Sequence, residues 1–425
     1  MMESVESEIF VSQVSLVVVG AGLRGQAYAR RAVATGSGRL VAVAEPDNGR
    51  RERFATEFGL ADDMVFRDWR DLAAAGRLAD GAIIATPDRE HSGPAIALAD
   101  LGYHLMVEKP LAPTEEEAVR ITEAVERNNV IFALCHVLRY TEYTRVLKAI
   151  LDSGRIGTLV SVQHLEPVGW WHQAHSFVRG EWNNSRTSSP MLLAKACHDI
   201  DWLMYLIDRP VARLSSFGQV SHFRPESRPA AATDRCLDCP LEPTCPYSAP
   251  RLYLGCLGDP EQEFWPLSAV TAEHTEAGVL TALRDGPYGR CVYASDNDAV
   301  DHQVVTMSFV DGLSCTFTMT AFTPFELRKT RFFGTHGYLE GDGTRLRLVD
   351  FRTGKEEEIN AGGTDSLEAG HADADDNLVD TFIAAVAAGN PGLLKSDAAT
   401  SLASHQIVWA AERARHTSTV VKLAP

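Results

Sequence analysis

No stretch of this chain stays apolar for long enough to cross a bilayer, so a membrane-spanning helix is not expected. Positive charge is scarce: 40 lysines and arginines face 57 aspartates and glutamates. The net charge of −17 argues against nucleic acid or an anionic membrane as the main partner. The first residues, Met1 to Gln13, are acidic and lack a basic stretch followed by an apolar one, which speaks against a secretory signal. No solenoid-type repeat recurs along the sequence. With 425 residues and an ordinary globular composition, two or three domains with ample core are expected. A cytoplasmic setting follows, in which the eight cysteines stay mostly reduced.

What is present is more specific. The apolar run Val14–Val19 ends in Gly20-Ala21-Gly22-Leu23-Arg24-Gly25, and helix-compatible Gln26–Arg31 follows at once. Strand, glycine turn and helix in that order put backbone N–H groups and a positive helix end where a pyrophosphate can sit. A tight turn with no ligand would also use glycine. The context goes further, because Glu45 ends the next predicted strand, where an acid bonds the adenosine ribose hydroxyls. Glu45 would repel a 2′-phosphate and so favours NAD, while Arg50 and Arg51 leave NADP open. Thr86-Pro87 with His91, and Glu108-Lys109-Pro110, each follow a predicted strand and fall at the carboxyl edge of the sheet, where ligands bind.

Short apolar runs alternate with helical periods as far as Cys135: strands at 40–44, 81–85, 104–107 and 130–135, helices at 50–58, 94–101 and 115–128. Thr114 and Glu117 form a capping box for the last helix. This pattern predicts an α/β protein with an N-terminal doubly wound parallel sheet of Rossmann type over residues 1–136. Residues 137–425 change character. Strands are predicted at 158–166, 213–220, 304–309, 314–320, 330–334 and 345–350, several of them alternating apolar with polar. That predicts a C-terminal α+β domain on a large, mostly antiparallel sheet, whose open face would favour a homo-oligomer, dimer or tetramer. Leu192–Leu206 reads as a helix carrying Lys195, His198, Asp199 and Asp201, and two helices close the chain at 374–389 and 397–415. Residues 222–266 show little periodicity and read as a Cys-rich insertion.

Taken together, the glycine turn, Ala85-Thr86-Pro87 with His91, Glu108-Lys109-Pro110 and His198-Asp199-Ile200-Asp201 make the chain resemble the glucose–fructose oxidoreductase / inositol dehydrogenase / rhizopine-catabolism (Gfo/Idh/MocA) family. The resemblance implies NAD bound by Gly20, Gly22, Leu23, Arg24, Gly25, Glu45, Thr86, Pro87, His91, Glu108 and Lys109. It also implies a lysine, here Lys109, touching nicotinamide and substrate, a histidine acid/base, here His198, and a common acidic position, here Asp201. The aspartate that the family places four residues before the histidine is Ala194, with Lys195 beside it. Either Lys195 substitutes with a different charge logic, or the reaction is not the usual one. Physically, histidine titrates near neutrality and suits a base, and a nearby lysine cation stabilises a developing alkoxide. If Lys109 and Lys195 both approach His198, its imidazole is held neutral.

Two further segments are unusual. Residues 163–182 interleave three tryptophans with three histidines, and Trp171, His172, His175 and Arg179, with Tyr140, offer the aromatic faces and polar groups that bind a carbohydrate or polyol. The alternative is a loop packed on its domain by tryptophans. Cys236-x-x-Cys239 with Cys245 has zinc-ligand character; Cys256, Cys291 and His222 are candidates for the fourth position, and Cys291 is preferred. Such a zinc would be structural, stapling an insertion without a core of its own. The leading expectation is an NAD(P)-dependent oxidoreductase acting on a sugar, cyclitol or related polyol. Two rivals stand beside it: an NAD-dependent glycosidase using transient oxidation and elimination, which Arg24 fits, and a non-catalytic dinucleotide sensor.

Overall fold

The computed structural model describes residues 13–362 and 372–423, so the acidic stretch over residues 1–12 lies outside the described residues. The chain divides into two units, Met1–Cys135 with Asp375–Leu402, and His136–Ala374 with Ala403–Pro425. The first unit therefore takes in a segment from the tail that the sequence pattern assigned to the second domain.

The first unit is built on a six-stranded parallel sheet. Its strands are β1 (Val14–Val19), β2 (Gly38–Ala44), β3 (Val65–Phe66), β4 (Gly81–Ile84), β5 (His104–Val107) and β6 (Phe132–Leu134), in the order β3-β2-β1-β4-β5-β6. Every residue of β1 and β4 is buried, as expected for parallel strands covered on both faces. Helices α1 (Leu23–Ala34), α2 (Asn48–Phe58), α3 (Trp69–Ala74), α4 (Ser92–Asp100) and α5 (Glu115–Arg127) make the crossovers. The α5 capping box forms: Thr114 Oγ1 accepts the Glu117 N–H and donates to its carboxylate. This strand order reverses between β1 and β4, the switch point at which such sheets bind ligands. The tail segment is tied in by Arg31, which pairs with Asp376 and Asp380, and by Ser396, which exchanges hydrogen bonds with Leu134.

The second unit carries a nine-stranded sheet. It contains β7 (Leu159–Pro167), β8 (Val211–Gln219), β9 (His302–Phe309), β10 (Ser314–Thr320), β11 (Lys329–Gly334), β12 (Gly337–Gly341), β13 (Arg345–Asp350), β14 (Lys355–Asn360) and β15 (Val421–Lys422). Their order is β14-β13-β12-β11-β7-β10-β9-β8-β15; only β7 and β10 pair in parallel. Burial alternates along β9 and β10, the signature of one covered face. Helices α6 (Glu142–Asp152) and α7 (Met191–Ile207) belong to this unit. Most of α7 is buried all round, including Lys195's neighbours Ala194 and Ala196, Leu192, Leu193 and Leu203. Each buried leucine there is worth roughly 1.5–3 kcal/mol.

The insertion over residues 222–266 folds into α8 (Ala249–Gly255) and short 3₁₀ turns. Its Cys236, Ala249, Tyr253 and Cys256 pack with Leu267, Val279 and Leu283, the last two on α9 (Glu276–Asp285), which follows the insertion. Turn residues and prolines mask this cluster in sequence, because its apolar positions recur at no single period.

Candidate active site

In the first unit the glycines do what their positions require. Gly20 sits at φ +94°, and a Cβ there would lie 2.6 Å from the Ala85 carbonyl oxygen. A Cβ on Gly25 would strike the Gly20 carbonyl oxygen at 2.0 Å, so helix and strand approach closely only without side chains. Gly22 is different: a Cβ would meet nothing within 4 Å. Gly22 is also the N-cap of α1, with no side-chain cap and no acid in the first turn. The helix thus offers open N–H groups beside an unobstructed glycine, which fits a pyrophosphate.

Glu45 is buried at the end of β2, accepting N–H bonds from Ala21 (2.7 Å) and Asp47 (2.9 Å). It fixes the glycine loop, and each carboxylate oxygen keeps a second acceptor site for a ribose hydroxyl. Thr86 holds a buried hydroxyl with no protein partner at the same sheet edge. His91 spans two loops, its ring nitrogens 2.7 Å from the Pro110 carbonyl oxygen and 2.8 Å from that of Thr86. This makes it a brace between the segments after β4 and β5.

Arg24 does not face outward as a free ligand. It pairs with Glu108 (2.7 Å) and with Asp375, while the Tyr28 hydroxyl donates to Glu108 at 2.6 Å. The Lys109 N–H donates to the other Glu108 oxygen at 2.7 Å. Burial pushes the Glu108 carboxyl up, but the Arg24 and Lys109 charges and the Tyr28 hydrogen bond overcome it and hold it at about 2. Glu108 is thereby a permanent anion that orients the backbone carrying Lys109.

The second unit assembles a buried polar cluster on α7 and the sheet beneath it. Lys195 Nζ lies 2.7 Å from Glu166 at the end of β7. Arg328, just before β11, lies 3.0 Å from the other Glu166 oxygen, pairs with Asp199, and donates to His198 Nε2 at 2.8 Å. His164 closes the ring, 3.1 Å from Asp199 and 2.7 Å from the Thr330 hydroxyl. Burial drives the Asp199 carboxyl upward, and the charges of Arg328 and His198 pull it far below the ordinary range. Two carboxylates and two fixed cations thus balance within one cluster.

The expectation that Lys195 acts on His198 as an uncompensated cation is corrected here: Glu166 neutralises Lys195, and the cation at His198 is Arg328. The acid beside the histidine is Asp199, 3.2 Å from Nε2, not a residue four positions earlier. Asp201 turns to other partners, Arg139 at 2.6 Å and His136 at 2.9 Å. Sequence reasoning missed Arg328, Asp199 and His164 as site residues. The Asp199 signal was present in His-Asp-x-Asp; Arg328 had none, being 130 positions from His198.

The aromatic segment splits in two. Trp171 and His172 cluster with Trp265 and Phe325, with ring centroids 5.0–5.5 Å apart in four of the pairs. His175 and Arg179, expected to bind substrate, are interior. His175 is bonded to the Tyr253 hydroxyl at 2.8 Å, and burial together with Arg179 pushes its imidazole down to about 3. Arg179 donates to the carbonyls of Arg290 and Tyr247, both at 2.7 Å. Tyr140 is buried in a 3₁₀ turn after β6.

Cys236, Cys239, Cys245 and Cys291 line one cavity of about 200 Å³, together with Arg179 and Arg235. Of the three candidates for the fourth position, Cys291 lines this cavity. Cys256 donates instead to the Leu252 carbonyl at 3.2 Å, and His222 is bonded to the Tyr293 hydroxyl. Among the described residues no three of the four sulfurs lie mutually within 4.8 Å; the one group that close is His136, Cys197 and His405, buried in the second unit.

A Rossmann sheet in the order 3-2-1-4-5-6, an open glycine turn and a second unit on a large mixed sheet define a two-part, NAD-binding oxidoreductase architecture. Comparison with known families agrees. Residues 14–136 match the oxidoreductase family's NAD-binding Rossmann fold, and residues 148–423 match its C-terminal alpha/beta domain. The chain belongs to the Gfo/Idh/MocA family.

Inositol 2-dehydrogenase 1 of Saccharopolyspora erythraea is 30% identical over 217 residues, 50% of this chain and 59% of that one. The 2,7-anhydro-N-acetylneuraminate hydratase of Escherichia coli is 26% identical over 190 residues, 45% and 48% of the two chains. The matched stretches span about half to three-fifths of the length of such curated relatives. Among solved structures, an inositol dehydrogenase homologue from Azotobacter vinelandii complexed with NADH and myo-inositol superposes with a TM-score of 0.69. It has 17% identity, and the match covers 97% of this chain and 98% of that one, a likeness of fold. Among the described residues no helix is long and apolar enough to cross a membrane.

Proposed function

We propose that this protein is an NAD(P)-dependent oxidoreductase acting on a carbon of an uncharged sugar, cyclitol or related polyol. The observation that carries the reading is the charge-balanced cluster around His198. Each of its two fixed cations already has a carboxylate, so it offers hydrogen bonds to hydroxyls and no spare charge for an anion. The relatives named inositol dehydrogenases support the same substrate class.

When bound, NAD supplies the hydride acceptor at its nicotinamide. Glu45 selects it over NADP by bonding ribose hydroxyls. Lys109, held by the Glu108 anion, polarises the substrate oxygen. A substrate hydroxyl displaces Arg328 from His198 Nε2, and that nitrogen takes the hydroxyl proton while Arg328 stays on Asp199. Lys195 and Glu166 position a neighbouring hydroxyl. Asp201, with Arg139 and His136, acts through α7 as a positioning residue. Trp171 and His172 supply an aromatic wall.

A homo-oligomer and a cytoplasmic location complete the reading. A structural zinc on the four clustered cysteines is the simplest occupant of that ligand set. It requires the sulfurs to close to about 3.8 Å of one another, given metal–sulfur bonds of about 2.3 Å.

The test is a panel of cyclitols, free sugars and aryl glycosides. Net NADH formation with a polyol is expected. Aryl alcohol release without net NADH would instead establish the glycosidase, and bound NAD with neither signal the sensor. Lys109→Ala and His198→Ala should each lower turnover roughly 10²–10⁴-fold with NAD affinity largely kept. Unchanged turnover removes that residue from the mechanism.

A further inference from the structure

We propose that His136, Cys197 and His405 form a structural zinc site in the interior of the second unit, distinct from the four cysteines of the insertion. This does not rest on the polyol reading. Proximity is the first argument. One donor atom from each residue lies within 4.8 Å of the other two, and among the described residues no other group of histidine, cysteine or acid comes that close. Zinc binds nitrogen at about 2.0–2.1 Å and sulfur at about 2.3 Å, so a tetrahedral shell sets its donors about 3.4–3.6 Å apart. Small side-chain rotations close the shell.

The second argument is where the three come from. His136 precedes the 3₁₀ turn Val137–Tyr140, Cys197 lies within α7, and His405 sits on the C-terminal helix Ala398–Thr417. All three side chains are fully withdrawn from solvent. The two imidazole rings lie nearly parallel, 18° apart, with centroids at 5.4 Å. A zinc here ties a turn and two helices together, which is how a structural ion contributes its binding energy to folding.

Third, His136 is oriented from behind. Its Nδ1 lies 2.9 Å from Asp201 Oδ1, and Arg139 grips both oxygens of that carboxylate at 2.6 and 2.7 Å. The carboxylate keeps the proton on Nδ1, which leaves the lone pair on Nε2. That nitrogen is buried and has no hydrogen-bond partner. A carboxylate behind the imidazole fixes the tautomer and strengthens the ring as a ligand.

The donor chemistry agrees. Two imidazoles and a thiolate suit a borderline-soft ion and not magnesium or calcium. Arg139 already balances Asp201, so zinc with the Cys197 thiolate leaves one positive charge, which a hydroxide in the fourth position cancels. On loading, the Cys197 S–H proton and one water proton leave to solvent as the zinc–sulfur and zinc–oxygen bonds form; nothing is oxidised or reduced. Cys197 directly precedes His198, so the ion pins α7 beside the candidate active site.

The full chain is dialysed against a chelator, and zinc and copper per chain are measured by mass spectrometry. Cys239→Ser combined with Cys245→Ser removes the thiolates that an ion in the insertion would use. About one zinc per chain should survive in that variant and should be lost when His405→Gln is added. Its zinc X-ray absorption should show about one sulfur at about 2.3 Å with nitrogen or oxygen at about 2.0–2.1 Å. Should the variants not fold, the wild-type absorption decides: nitrogen beside sulfur upholds the site, and sulfur alone overturns it. No zinc in the cysteine variant, copper in its place, or zinc undiminished by His405→Gln also overturns it. NAD binding followed on the same samples keeps the result separate from the dehydrogenase reading.

Discussion

Arg24 and Arg328 each hold two carboxylates, one in each unit, yet they live in different media. The Arg24 side chain is 41% exposed, while that of Arg328 is 14% exposed and its partner Asp199 is fully buried. The first unit's site is made chiefly of backbone: glycines, an uncapped helix end and two braced loops. Its ion pairs trim the edges. The second unit's site is made of ionised side chains taken out of water, where every charge needs its partner. A backbone site tolerates the loss of one charge; a buried ionic site does not.

The largest expected effect tests that contrast directly. Arg328→Met strands buried Asp199, while Glu166 keeps Lys195, and should cost about 3–5 kcal/mol. Arg24→Met leaves Glu108 the Lys109 N–H and the Tyr28 hydroxyl but strips Asp375, and with the guanidinium partly exposed it should cost less, about 1–3 kcal/mol. Equal losses in urea denaturation would erase the distinction.

A smaller effect sharpens the backbone side. Gly20→Ala forces a side chain into positive φ and against the Ala85 carbonyl, at about 1–3 kcal/mol, with a lower Tm. Gly22→Ala meets no protein atom within 4 Å, so Tm should hold while NAD affinity falls, read by fluorescence titration. If both variants melt alike, Gly22 faces protein and not cofactor.

The last effect is in pH. His175 is pushed from 6.5 to about 3 by burial and Arg179, so between those values the unfolded chain binds a proton that the folded chain refuses. Stability is full above 6.5 and drains as pH falls toward 3. Glu108, lowered from 4.5 to about 2, drains stability only between those lower values. The second unit should therefore loosen first on acidification, with an onset near 6.5. His175→Gln should move that onset down, as followed by tryptophan fluorescence. An unmoved onset assigns it to another group.

How much of this was legible in sequence follows the same divide. The glycine turn, Glu45 and five of the six strands could be read because each rests on local spacing, whereas β3, two residues long and only half-buried, shows no apolar run. β14, Lys-Glu-Glu-Glu-Ile-Asn, could not, since an exposed edge strand has no apolar face to alternate. Arg24 was read from its place in the glycine turn, and its ion pair with Asp375, 351 positions away, left no trace there. Cys291 was preferred on the hint of a returning strand; what delivers it is the single bridge at Arg235 and Arg290. Charge partners chosen by tertiary proximity leave no periodic trace.

The tail segment that joins the first unit bears on how the protein is made. Leu134 finds its carbonyl at Ser396, 262 positions on, and Arg31 its acids at Asp376 and Asp380, 345 positions and more beyond it. A nascent chain emerging from the ribosome holds all six strands of the first sheet long before it holds their last partners. The nucleotide-binding half thus appears long before it is completed, and chaperone dependence should fall on that interval.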